Sequence, residues 1–172
     1  MDVKRLTRCA VLTALALALS VAEGLVPLTI LFPLPGLRLG LANLVTVYVL
    51  VTMGGGEALL ILLARCFLGA LLGGNLSSLA FSLTGGLLAF ALEWLLLKWK
   101  PLSLFGVCMA GAAAHNTGQI MAAMTLMRTA APLVYLPPLL LASVLTGAFT
   151  GWVTALLVKR LSGEVILRER KL

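Results

Sequence analysis

The feature that most constrains this chain is the recurrence of apolar runs about as long as a bilayer is thick, with little sequence left between them. A spanning helix needs about 20 mostly apolar residues. Six such stretches are predicted, over 6–24, 39–53, 57–73, 76–97, 103–126 and 133–158. The second and third are short and the last two long, so tilt or partial insertion is expected. Composition agrees: 61% of residues are hydrophobic and 11% charged, with a mean hydropathy of +1.11. Such a chain has too few polar side chains to cover a surface facing water. A soluble enzyme or a nucleic-acid-binding domain is therefore disfavoured, despite a net charge of +7.

The basic residues behave as topology signals. With the N-terminus inside, the inner segments hold Lys4, Arg5 and Arg8, then Lys98 and Lys100, then Lys159, Arg160, Arg168, Arg170 and Lys171. Arg38 and Arg128 fall outside and Arg65 in mid-membrane. That bias predicts an all-α integral membrane protein with six transmembrane helices, N-in and C-in. It is expected to form a single transmembrane domain over residues 1–172, multi-pass in the cell membrane. Trp94, Trp99 and Tyr135 fit interfacial anchoring. A competing reading of the first span is a cleavable signal peptide, from its basic start, the apolar stretch Ala10 to Leu19, and Ser20 and Ala22.

On the first span, Ala10, Ala14, Ala18 and Ala22 recur every four residues, and at about 100° per residue they form one slowly drifting stripe. A stripe of methyl groups lets another helix come close, which in lipid is a main source of association. It serves either as a docking face for a partner or as internal packing. Gly69 with Gly73, and Gly147 with Gly151, are read as internal packing. Between the first two spans, residues 25–38 are apolar but broken by Pro27, Pro33, Pro35 and Gly36. Dense prolines prevent a regular helix, and non-helical apolar backbone at membrane depth must rest on protein or line a cavity. A lid over an outward-facing pocket meets that demand; a re-entrant packing loop is the alternative.

Ionisable groups in a bilayer are expensive, about 2.5–3.5 kcal/mol for Arg at a helix centre, so each needs a reason. Arg65 lies midway along the third span, with Glu23 as its expected partner or as a pocket group, and Glu57 two turns away. The fifth span carries His115, Asn116, Thr117, Gly118 and Gln119; His115 and Gln119 share a face, and Asn116 turns about 100° away. Asn43, Asn75, Ser77 and Ser78 add polar groups towards the outer half. These residues suit either a hydrogen-bonding ligand or interhelical hydrogen bonds. The same pattern argues against catalysis and metal binding. Asp2 is the only aspartate, no carboxylates cluster to hold magnesium, and the lone His115 is a poor metal site. Cys9, Cys66 and Cys108 are too widely spaced for a metal motif. No Walker sequence, HExxH or nucleophile elbow is present. No catalytic residue, metal or cofactor is expected, and any ATP would be bound by another subunit.

Four ordered segments carry a resemblance: Pro35-Gly36-Leu37-Arg38-Leu39-Gly40-Leu41-Ala42-Asn43; Arg65 leading to Gly73-Gly74-Asn75-Leu76-Ser77; the Ser82-Leu83-Thr84-Gly85-Gly86 turn; and Gly111 through Gln119. The chain resembles the Gx transporter family, also labelled heptaprenyl diphosphate synthase component I, up to about Arg160. Arg38 stands where lysine is expected and Thr84 where serine is usual. That family in turn resembles the substrate-capture (S) subunits of energy-coupling-factor (ECF) transporters. The resemblance implies a six-helix protein that captures a vitamin-like or precursor molecule from outside. It would then dock through the first-helix alanines onto a transmembrane coupling subunit driven by ATPase subunits. The expected solute contacts are Asn43, Arg65, His115, Asn116 and Gln119, with Arg38 and Glu23, and the expected docking residues are Ala10, Ala14, Ala18 and Ala22. The competing function is a non-transporting accessory subunit of a prenyl diphosphate synthase or of quinone or flavin electron transfer.

Overall fold

In lipid every backbone N–H and C=O must be satisfied within its own segment, so apolar runs of this kind settle as helices. The computed structural model describes residues 3–25, 41–73, 76–99 and 102–161, almost all of them helical. The helices are α1 (Val3–Gly24), α2 (Asn43–Thr52), α3 (Gly55–Gly73), α4 (Leu76–Trp99), α5 (Leu104–Met127) and α6 (Leu136–Leu161), with a 3₁₀ turn, Ala131–Tyr135, leading into α6. Each lies close to one predicted stretch. Four are long and apolar enough to cross a membrane: α1, α3, α4, and α6 taken with its lead-in. α5 has the length, at 24 residues, but its polar cluster dilutes its apolar character. α2 is different. Its 10 residues rise only about 15 Å, half of a hydrocarbon core about 30 Å thick.

A helix that short survives because it is wrapped. Asn43 to Val47, Val49 and Leu50 are all buried, and α2 touches α1, α3, α4 and α6. Cys9 and Ala16 of α1, Val45 and Val49 of α2, and Ala58 and Ile61 of α3 form one apolar cluster around it. α2 stops at Gly54, whose φ of 121° is open to glycine but strained for other residues. The Gly54 N–H bonds back to the Val49 carbonyl at 3.0 Å, and α3 starts at once.

α5 packs between α4 and α6, and glycines set those distances. A Cβ on Gly118 would lie 2.7 Å from the Cα of Gly85, and one on Gly147 would lie 2.5 Å from the Cα of Met109. Gly151 packs similarly on Phe105, so the expectation for Gly147 and Gly151 holds. Gly69 and Gly73 differ: Gly69 makes only an ordinary contact to Leu17, and Gly73 has nothing within 4 Å. The predicted turn at Ser82–Gly86 is also corrected. These residues are in the middle of α4.

The bundle is inverted relative to a soluble protein. Leu71, Leu76, Leu141 and Leu145 are 73–81% exposed, whereas Glu93 is 0% and Gln119 1% exposed. Ala10, Ala14, Ala18 and Ala22 are all exposed, while Cys9, Ala16, Ser20 and Glu23 of the same helix turn inward. The stripe is thus not packed against the described parts of its own chain. One end of the bundle gathers the start of α1 and the end of α6, which border a common crevice, and the start of α3, where Gly55 abuts Trp94 near the end of α4. That end therefore holds Lys4, Arg5, Arg8, Lys98, Lys159 and Arg160. There Arg5 pairs with Glu57 at 3.4 Å, and Lys98 sits 5.4 Å above the Trp94 ring.

Backbone atoms cannot move aside as side chains can, so Gly118→Ala and Gly147→Ala should each destabilise the bundle by about 1–3 kcal/mol. Gly73→Ala should be neutral. Thermal unfolding in detergent checks all three, and equal effects would mean the glycines do not set the helix spacing.

Candidate functional site

Polar side chains in an apolar bundle must find one another, and here they line up through its interior. α5 supplies the spine. Cys108, Gly111, His115 and Gln119, spaced three or four residues apart, are buried on one face of it. At about 1.5 Å per residue they climb about 16 Å, from near the basic end to beyond the middle of the helix.

At the lower level lies Glu93 of α4, fully buried. Its Oε1 accepts a hydrogen bond from Asn43 Nδ2 at 2.6 Å, tying α2 to α4. The carboxylate lies directly on Gly111, where any Cβ would collide with Glu93 Oε1. Asn43 Oδ1, Thr46 Oγ1 and Glu93 Oε2 are buried with no hydrogen-bond partner among the described residues. Arg65 of α3 is buried, and its charge acts on Glu93. The Cys108 thiol lies on the other side, against Thr150 and Thr154 of α6.

One level up, Gly85 and Gly86 make room in α4 on two sides. A Cβ at Gly85 would lie 3.1 Å from His115 Cε1 and 3.0 Å from Gln119 Cγ. A Cβ at Gly86 would lie 3.0 Å from Leu62 Cδ1 and 3.5 Å from Arg65 Nη2. Two glycines inside a helix cost about 1 kcal/mol each relative to alanine, and the space they leave is filled by His115 and Gln119 on one side and by Leu62, with the Arg65 guanidinium beyond it, on the other. Gln119 Nε2 and His115 Nε2 are 3.1 Å apart. With the amide donating, that ring nitrogen accepts and the imidazole proton sits on Nδ1.

The predicted site residues separate into three groups. Asn43 and Arg65 both act on Glu93, and His115 and Gln119 pair with each other at the next level of α5. Asn116 faces the other way and donates to the Leu139 carbonyl at 3.0 Å and to Ser143 Oγ at 2.8 Å, binding α5 to α6. Both amide hydrogens are committed there. Glu23 is buried at the far end of α1, a helix length away from the basic end. Arg38, Asn75 and nearly all of the expected lid at 25–38 lie outside the described residues. Ser77 is exposed and Ser78 half-buried.

Two corrections concern depth. Asn43 opens α2 but bonds to Glu93, only six residues from the end of α4, so it lies towards the basic end rather than in the opposite half. Glu57, the other carboxylate near Arg65 in sequence, is taken by Arg5 at the surface. Glu93 itself was missed by the sequence reading. The signal was present: an ionisable residue in an otherwise apolar span, the same criterion that marked Arg65. Among the described residues no three His, Cys, Asp or Glu side chains are placed to hold a metal, and the three cysteines are free and buried. Two cavities, of 840 Å³ at the basic end and 470 Å³ on the α4–α5 surface, are not lined by Arg65, Glu93 or His115.

Lipid-facing leucines around a core of buried carboxylate, amide, guanidinium and imidazole define a helical membrane protein with a polar interior. More narrowly, the chain belongs to the family described as heptaprenyl diphosphate synthase component I, whose model matches residues 12–157. No curated protein and no solved structure matches it.

The contact of Glu93 with Gly111 is testable by a double-mutant cycle. Gly111→Ala should destabilise the protein by about 1–3 kcal/mol, and most of that loss should vanish when Glu93 is already alanine. Additive losses in thermal unfolding would show that the carboxylate does not rest on Gly111.

Proposed function

We propose that this protein is the substrate-binding subunit of an ECF-type importer, with six membrane segments, N-in and C-in, in the cell membrane. The observation that carries this reading is the cluster of buried acceptor oxygens on Asn43, Thr46 and Glu93. They lie with Arg65 nearby in an otherwise apolar bundle. Buried polar atoms are nearly always partnered, and helix packing alone has no need of a carboxylate in lipid. A small, vitamin-like or precursor solute bearing N–H or O–H donors would satisfy them, with Arg65 balancing an acidic group and His115 and Gln119 contacting its other end. Asn116 is then a helix fastener rather than a solute ligand. Arg38 and Glu23 remain candidates for the outer mouth.

The chain itself is not proposed to be an enzyme. Docking would use the outward-facing alanines of α1, whose methyl surface suits close approach by a helix of a coupling subunit, with ATPase subunits beneath. The excess of basic residues at one end supports placing that end in the cytoplasm.

Two outcomes are expected. Native mass spectrometry of the purified protein should show a bound small molecule that is lost in Glu93→Leu and His115→Ala variants that still fold. The double change Ala14→Leu with Ala18→Leu should abolish co-purification with a coupling subunit and leave that bound molecule in place.

The family description favours a second reading, in which the chain partners a prenyl diphosphate synthase and moves no solute. That reading predicts a stable complex with the synthase and no exchangeable ligand in the same experiment.

A further inference from the structure

At the basic end of the bundle, away from the polar stack, α1, the end of α2 and the end of α6 leave an open crevice of 840 Å³. Its rim carries Lys4 and Arg8, one turn apart on α1. Val11, Leu12, Met53 and Leu161 complete its apolar lining, with Val11 and Leu12 the deeper pair on α1. Among the described residues neither Lys4 nor Arg8 makes an ion pair, whereas Arg5 between them pairs with Glu57. Thr7 and Thr52 also line the crevice, but each hydroxyl donates back to its own helix, to the Val3 and Tyr48 carbonyls respectively. Among the described residues no carboxylate lines it. The groups that face an occupant are therefore two cations, the Tyr48 ring and an apolar floor.

Depth orders these groups. Lys4 and Arg8 occupy the first two turns of α1, and Val11 and Leu12 lie about one turn further in. Charge sits at headgroup level and hydrocarbon below it, the same sequence of layers that a phospholipid presents. A small soluble anion would use the rim and leave the floor wet; a neutral lipid would use the floor and leave both cations unmatched. Basic pockets between membrane helices on the cytoplasmic side are suited to anionic headgroups. We propose that this crevice binds an anionic phospholipid, its phosphate against Lys4 and Arg8 and the upper part of an acyl chain along Val11 and Leu12. The site rests on the crevice alone and does not depend on solute capture.

The test uses the full chain, purified and offered an equal mixture of phosphatidylglycerol and phosphatidylcholine, with retained lipid read by native mass spectrometry. Phosphatidylglycerol should be retained in preference. Lys4→Gln and Arg8→Gln should each weaken that preference about fivefold, while Lys98→Gln, which removes an equal charge from α4 at the same end, should leave it unchanged. Leu12→Trp keeps both cations and fills the floor, and it should also lower phosphatidylglycerol retention. Equal retention of the two lipids would overturn the proposal. So would losses in the Lys4 and Arg8 variants no larger than in Lys98→Gln, displacement of the lipid by millimolar inorganic phosphate, or retention of an isoprenoid diphosphate in its place.

Discussion

A carboxylate with no exposed surface, held among helices whose outer faces are leucine, is the constraint around which this bundle is arranged. Lipid offers Glu93 nothing, so protein must surround it. Asn43 supplies a hydrogen bond at 2.6 Å, Gly111 gives up its side chain to make the space, and Arg65 supplies opposite charge. The short α2 follows from the same demand. Its first residue must reach a group near the far end of α4, so the helix lies in one half of the bundle and is enclosed by four neighbours.

Glycine placement extends this logic outward. Gly85 and Gly86 open α4 towards His115 on one side and Arg65 on the other, and Gly118 and Gly147 bring the backbones of α4 and α6 against α5. The polar groups are thus fixed by close-packed backbone rather than by long side chains, an arrangement that preorganises a site. α1 stands apart in character. Its inward face packs through Cys9, Ala16, Ser20 and Glu23, and its methyl stripe faces away, available to a neighbour in the membrane. The polar stack and the outward methyl stripe thereby occupy different helices, as the proposed capture-and-docking role requires.

Much of this was legible in the sequence, for physical reasons that also mark the limits. Apolar run length gave the helices to within a few residues, because in lipid hydropathy and backbone satisfaction point the same way. The turn at 41–42 was not separated from α2, since apolar residues there look the same whether they span lipid or lie under other helices. Arg65, His115 and Gln119 were recognisable because polar residues stand out in a span. Asn116 stood out equally but serves α6, since a face assignment on one helix does not say which neighbour it meets. Glu93 carried the same signal as Arg65. The Gly85–Gly86 pair read as a turn because glycine's flexibility is visible in a sequence, whereas the His115, Gln119 and Leu62 atoms filling its space are not.

The central claim, that the polar interior is a solute chamber reached from the side opposite the basic end, is tested most directly by chemical access. With Cys9, Cys66 and Cys108 replaced by serine or alanine, Gln119→Cys would be exposed in intact cells to a membrane-impermeant thiol reagent. Labelling from outside, slowed when the cognate solute is present in the medium, is the expected result. No labelling either from outside or after permeabilisation would mean that these side chains only hold helices together, and labelling only after permeabilisation would contradict access from the side opposite the basic end.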